Sequence, residues 1–201
     1  MRKCLIFILI LALLCPLSAS AAEGPKYLAL VFEDFPREMP ALLEGLASRG
    51  VRMTFFLENG DASEAESLVK EGHELGILTA AGPELSRREI ARELNDRERQ
   101  LNTRIRLLRT TSRCSDGMRQ VAQALGFSFV IPAGTLRALS PASDGDILLA
   151  DGSIPAISLL ELVDDLQKQG FTLVTVSELA RHRGVFLRPG ATYRSFPPPE
   201  R

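Results

Sequence analysis

An α/β fold built on a parallel sheet is what this sequence predicts, and three observations carry the prediction. Short apolar runs alternate with segments of helical periodicity almost from end to end after residue 25. Glycines at 50, 72 and 126 punctuate the ends of the helical segments. No connecting stretch is long enough to break the alternation. About seven such β/α units imply parallel strands joined by right-handed crossovers. Periodicity does not choose between an open doubly wound sheet and a barrel.

In chain order, "KYLALVFED" (26–34) is an apolar strand and "REMPALLEGLASRG" (37–50) a helix ended by Gly50. "RMTFFL" (52–57) is the second strand. Residues 61–72 form a helix opened by Asp61 or Ser63 and closed by Gly72. "HELGILT" (73–79) follows as a strand. The charged helix 86–104 packs inward through Ile90, Leu94 and Leu101, and its charges read as a solvated face with i,i+4 pairs. "RLLRT" (106–110) is a strand, 115–126 a helix and "FSFVIP" (127–132) a strand. Residues 133–145 read as a loop, with one helical turn at "TLRALS". "DILLAD" (146–151) is a strand, 153–170 a helix, "TLVTV" (172–176) the last strand and "SELARHRG" (177–184) a short helix. Beyond Gly184 the chain is Pro-rich and is expected to fray.

Composition bounds function. The chain has 201 residues, a net charge of −1, 45% hydrophobic residues and 24% charged residues. These are globular values for one domain with a real core. Near-neutral charge gives no support for nucleic-acid binding or for electrostatic attachment to an anionic membrane.

The N-terminus is distinct. A basic "MRK" precedes the apolar run Cys4–Cys15, and Ala19-Ser20-Ala21 satisfies the small-x-small cleavage rule. Residues 1–21 therefore read as a signal peptide, 22–184 as the domain and 185–201 as a tail, so the protein is expected outside the cytoplasm, periplasmic or extracellular. The run is too short to span a bilayer, and no membrane span is expected once the signal is cleaved. An uncleaved anchor is the alternative. A lipoprotein signal at Cys15 ranks lower, because Leu14 is not small. Cleavage leaves Cys114 alone, so no internal disulfide is possible.

In parallel α/β folds, functional groups gather beyond the carboxyl ends of the strands. Here those ends hold Glu33 and Asp34, then Leu78 with the loop to Gly82, then Arg109, then Ala150 and Asp151. Two carboxylates near an arginine read either as an acid/base site or as a structural ion pair. Side chains alternate along a strand, so Glu33 and Asp34 converge only if the strand bends.

These segments together resemble the polysaccharide deacetylases of carbohydrate esterase family 4, the NodB-homology domain. "LALVFEDFP" stands where that family has Thr-Phe-Asp-Asp-Gly-Pro. "GHELGILTAAGP" parallels Gly-His-Glu-Ile-Gly-Asn-His-Thr-x-x-His-Pro. "LLRTTSR" parallels Phe-Arg-Pro-Pro-Tyr-Gly, "DILLADG" parallels Ile-Leu-Leu-His-Asp, and "LQKQGFTLVTVSELA" matches the family's ending. The resemblance runs from about Lys26 to Gly184. It implies a distorted (β/α) barrel of about seven strands. It also implies, for active members, a divalent metal held by one Asp and two His, a carboxylate base, and a His that protonates the leaving amine.

Carried over residue by residue, the resemblance makes Asp34 the metal-binding carboxylate, Glu33 the base and Arg109 its partner. Leu78 and Gly82 stand where the ligand histidines belong, and Ala150 where the general acid belongs. Phe35 replaces a glycine and is expected to crowd the pocket. Thr110-Thr111-Ser112 replaces the Pro-Pro-Tyr loop. A glycine at 82 also permits a positive φ. Of the 2 histidines in the chain, His73 matches a position that is not a ligand and is expected to pack with its ring satisfied. His182 is expected in solvent.

One carboxylate does not make a tight zinc site, so neither metal nor other cofactor is expected. An oxygen-only site of Glu33, Asp34 and Asp151 is the weak alternative. The leading expectation is a non-catalytic, exported relative that binds a cell-envelope glycan or an envelope protein at the old active-site mouth. The rivals are a metal-free hydrolase of N-acetyl groups with Glu33 as base, and a structural periplasmic protein without ligand.

Overall fold

The computed structural model describes residues 24–33, 39–58, 62–136, 142–150 and 154–199. Its strands are β1 (Lys26–Glu33), β2 (Thr54–Leu57), β3 (Glu74–Thr79), β4 (Leu107–Thr110), β5 (Ser128–Val130), β6 (Gly134–Leu136), β7 (Ile147–Ala150), β8 (Phe171–Val174) and β9 (Thr192–Tyr193). Among the described residues the helices are α1 (Met39–Ser48), α2 (Ala62–Lys70), α3 (Arg87–Gln100), α4 (Asp116–Leu125), α5 (Ala156–Lys168) and α6 (Val176–His182). All nine strands join one sheet, in the order β6-β7-β1-β2-β3-β4-β5-β9, with β8 added to β1. Every ladder is parallel. The curled parallel sheet with helices outside is the expected distorted barrel, with two short strands beyond the anticipated count.

Alternation along β1 shows how the sheet is covered. Leu28, Leu30 and Phe32 pack with the helices. Ala29 and Val31 point to the concave side, into a second apolar cluster with Phe56, Leu78, Leu107 and Val130. Helix α6 joins that second cluster through Val176, Leu179 and Ala180. It closes the barrel at the leading ends of the strands. The opposite end, where the strands finish, is the mouth.

The caps follow the sequence. Ser86 and Glu89 form a reciprocal capping box on α3, and Thr175 and Glu178 form another on α6. Ser115 caps α4, and Gly126 ends it in the left-handed region at φ 88°.

Three expectations need correction. Thr135 and Leu136 lie in β6, paired with Leu149 and Ala150, and are not a helical turn. The rest of that stretch, 137–141, lies outside the described residues. The last strand of the helical series, β8, ends at Val174, because Thr175 turns its side chain to cap α6. The tail does not fray. β9 pairs with β5, Ser195 bridges Asp146, and Phe196 is buried in the concave cluster. Gly145, at φ 92°, gives the tail its path: a Cβ there would overlap the Phe196 carbonyl. No helix among the described residues is long and apolar enough to cross a membrane.

Candidate functional site

Glu33 is the last residue of β1, and Arg109 is the third of β4. Each lies two residues beyond a concave-facing neighbour, Val31 and Leu107, so both point into the mouth. β2 and β3 lie between them. On a flat sheet three strand spacings would separate them by about 14 Å. Here the Arg109 Nε–H donates to Glu33 Oε1 in a direct ion pair. The pair therefore depends on the curl of the sheet. Its side chains are 29% exposed for Glu33 and 16% for Arg109, intermediate between a surface pair and a buried one.

The walls beside the pair are apolar. Leu78 sits next to Arg109 in the β3–β4 register and is buried. Phe56 sits next to Glu33 in the β1–β2 register and is also buried. The Phe56 ring lies over Gly76, where a Cβ would overlap the ring itself. Glycine at 76 is thus a packing requirement, with no positive φ involved.

Beyond β3 the chain is held by short polar contacts. The Ala81 N–H donates to Thr79 Oγ1 at 3.0 Å, and the Thr79 hydroxyl donates to Glu93 Oε1 at 2.6 Å. Gly82 is not among the positive-φ glycines, so it has not used the freedom its sequence position allows. The Glu84 carboxylate occupies the space a Cβ on Gly82 would fill. The loop after β4 ties to this one. Thr111 N–H donates to Thr79 O at 3.1 Å, and the Ser112 hydroxyl donates to Ala80 O at 2.9 Å. Thr110 Oγ1 accepts the Ser112 N–H at 3.1 Å. Hydroxyl turns thus hold the loop that the resemblance leads one to expect as Pro-Pro-Tyr. Neighbouring Cys114 is partly buried, and burial pushes its thiol pKa up, which makes it a poor nucleophile.

Ala150 ends β7 beside Phe32 of β1 and Leu136 of β6. Its methyl belongs to the helix-side cluster, so it faces away from Glu33 and Arg109. The structure does not bring the expected general-acid position onto the concave face. Asp34, Phe35 and Asp151 lie outside the described residues. The two histidines take no part in the mouth. His73 is buried at the leading end of β3, where its Nδ1 accepts the Met53 N–H at 3.1 Å. Burial, with help from the Arg52 charge, lowers its pKa to about 4. His182 is exposed and stacks on Tyr27 at 4.1 Å.

Chemically, the described mouth offers a carboxylate shared with a guanidinium, hydroxyls and backbone groups on two tied loops, and an apolar wall. Leu78 has no donor atom and Gly82 has no side chain. Among the described residues no three His, Cys, Asp or Glu gather to hold a metal ion. These residues do not fit the metal that the family resemblance implies. Sequence reading missed Phe56, Glu84 and the tail. Only the pairing of Phe56 with a glycine in "HELG" hinted at the first.

A family model described as polysaccharide deacetylase matches residues 20–130. No curated protein matches the chain. Solved structures share its fold. The Xyl-CE4 domain of a multidomain xylanase from the hindgut metagenome of Trinervitermes trinervoides is 23% identical, with 86% of this chain and 98% of that one covered and a TM-score of 0.71. Peptidoglycan deacetylase PdaC from Bacillus subtilis is 23% identical, with coverages of 79% and 91% and a TM-score of 0.66. A CE4 family pseudoenzyme from Bacillus anthracis is 22% identical, with coverages of 78% and 66% and a TM-score of 0.66. A mutant CE4 family pseudoenzyme with restored enzymatic activity is 21% identical, with coverages of 78% and 68% and a TM-score of 0.65.

Proposed function

Because the chain belongs to the polysaccharide deacetylase family, we propose that it is an exported member without deacetylase chemistry that holds a cell-envelope glycan at its mouth. One observation carries the loss of chemistry. Leu78 is buried at the concave end of β3, beside Arg109, where the family pattern has a ligand histidine. Without a metal, amide hydrolysis forgoes carbonyl polarisation and water activation worth several kcal/mol. Glu33 keeps the Arg109 partner that the family pattern gives its base, so the loss lies with the ligand positions and not with this pair. The Bacillus anthracis protein supports the reading by example, since that fold is kept in a CE4 family pseudoenzyme.

The glycan is favoured as ligand by what the mouth retains. A carboxylate and a guanidinium accept and donate to sugar hydroxyls, and the loop with exposed Thr111 and half-buried Ser112 adds further polar groups. Export rests on the basic start, the apolar run and Ala19-Ser20-Ala21. Residues 1–21 are then removed.

Calorimetry with zinc and with an N-acetylated chitooligosaccharide tests the proposal, alongside an acetate-release assay on the same sugar and on peptidoglycan. The expected result is sugar binding that weakens in Glu33→Gln, no stoichiometric zinc and no acetate. A zinc site of micromolar affinity or tighter would overturn the inactive reading. Acetate released without metal, and lost in Glu33→Gln, would assign the metal-free hydrolase instead. No sugar binding at all would remove the glycan from the proposal.

A further inference from the structure

The end of the barrel opposite the mouth carries an exposed aromatic residue in a basic setting. Between Glu178 and Glu200 the sequence contains four arginines, 181, 183, 188 and 194, and no acidic residue. In the middle of this stretch Phe186 is 89% exposed and Val185 is 37% exposed. Phe186 is the most exposed of the large hydrophobic side chains described. The loop that presents it is firmly held. Val185 N–H donates to Ala180 O at 2.9 Å, Arg188 N–H donates to Tyr193 Oη at 2.8 Å, and Gly190 N–H donates to Phe127 O at 2.8 Å. Leu187 packs against the concave cluster while Phe186 points outward.

More cations lie at the same end. Arg104 and Arg106 are exposed just before β4 and line one groove with Arg99. They join the Phe186 loop through Ser128, whose N–H donates to Arg106 O and whose hydroxyl donates to Arg188 O. The nearby acids are engaged. Glu178 meets Arg52 and Arg181, Asp144 meets Arg183, and Glu98 accepts the Ile105 N–H. Asp96 pairs with Arg99, Asp146 accepts the Ser143 N–H, and Glu71, before β3, is 41% exposed. The chain's overall charge of −1 therefore conceals a cationic end.

The same end receives the N-terminal segment. β1 begins there at Lys26, and Tyr27 packs between His182 and the Arg183 guanidinium. An apolar tip flanked in sequence by the exposed Arg181 and Arg188 suits the boundary of an anionic bilayer, where the aromatic ring enters the interface and the cations meet lipid phosphates.

The geometry points to the leading end of the barrel as a docking surface for an anionic lipid bilayer, with Phe186 inserted and Arg181 and Arg188 against the headgroups. The mouth then faces away from the membrane. This inference does not depend on whether the mouth binds glycan.

The chain contains 0 tryptophans, so Phe186→Trp in the full-length protein gives a single fluorescent reporter. Ile157→Trp is the control, because Ile157 is 65% exposed at the start of α5, on the mouth side of the sheet. The probes are vesicles of equal parts phosphatidylglycerol and phosphatidylcholine, vesicles of phosphatidylcholine alone, and polyphosphate. With the anionic vesicles the residue-186 emission should shift to the blue. Brominated acyl chains should quench it at least about threefold more than the residue-157 emission, as for a side chain ~5–10 Å into the interface. Neutral vesicles should leave it unchanged, and Arg181→Glu with Arg188→Glu should abolish the shift. The inference is overturned by no shift with anionic vesicles at low salt, by equal quenching at both positions, or by a blue-shifted residue 186 before lipid is added, which would indicate a second copy there. An equal response to polyphosphate would assign a soluble polyanion instead of the bilayer.

Discussion

The two ends of the barrel each use a glutamate, in opposite ways. At the mouth, Glu33 pairs with a cation across three strand spacings and keeps part of its carboxylate in water. At the plugged end, Glu74 is set among neutral donors. Its Oε2 accepts the Thr54 hydroxyl at 2.9 Å and the Ser177 N–H at 3.1 Å. Thr54 Oγ1 in turn accepts the Val176 N–H at 3.0 Å. Burial is the main cause that raises the Glu74 pKa, and the hydrogen bonds only partly offset it. The mouth is therefore held by a replaceable charge pair, and the plug by a polar network whose members cannot be removed singly without leaving a partner unmatched. An open end can change its chemistry while a closed end keeps its contacts.

The largest expected effect lies at the mouth. Leu78→His with Gly82→His should create a zinc site together with Asp34, read by calorimetry. Going from no site to micromolar affinity is a change of about 8 kcal/mol in binding free energy. The ordinary φ at Gly82 and the flexible Glu84 side chain above it favour the substitution. The variant should stay nearly inactive, because Ala150 faces the helix side and a histidine placed there would not reach the mouth. A parent-like fold with no zinc uptake would refute the residue assignment around β3.

Next is the plug. Thr54→Val removes a hydroxyl that both donates to Glu74 and accepts from Val176. Two stranded groups should cost about 2–4 kcal/mol in urea unfolding. A loss below ~0.5 kcal/mol, the usual range for an uninvolved site, would show that the network is not what fixes α6.

Arg109→Ala should cost less, about 1–2 kcal/mol, between the ranges for exposed and buried pairs. An unchanged melting temperature would mean that solvent already screens the pair, and the contrast between the ends would sharpen.

The last test is a pH dependence in which two buried groups oppose each other, so that their effects offset in the parent. His73 has a folded pKa of about 4, below its ordinary value of 6.5. The unfolded chain therefore takes up the proton first, and stability falls as pH drops from about 6.5 towards 4. Glu74 has a raised folded pKa, so its contribution is fully present below 4.5 and is lost as pH rises through the raised value. Glu74→Gln should therefore be more stable than the parent at pH 8, with the gain shrinking towards pH 4. A gain independent of pH would show that Glu74 does not titrate differently in the two states.

Much of this architecture was legible in the sequence because local chemistry and the tertiary fold agree. Ser115 and Gly126 mark the ends of α4 in both. The apolar strand ending in Glu33 and the strand bearing Arg109 lie in register to meet once the sheet curls. What was not legible depends on long-range contacts. β6 has three residues and no periodicity of its own, and its strand geometry comes from β7. The tail reads as Pro-rich, yet single anchors, Tyr193 on Phe196 at 5.2 Å and Phe196 in the concave cluster, hold it down. The direction of Ala150 follows from a pleat parity that a motif alignment does not contain.

The three partners of β1 bear on how the chain folds. β1 is the first strand made, and it is bridged by β2, β7 and β8. The last two lie far along the sequence, at Ile147–Ala150 and Phe171–Val174. Their pairing closes a loop that contains most of the molecule, an entropic cost that must be met before the barrel can shut. The N-terminal strand therefore waits, without a complete set of partners, until the C-terminal segments appear.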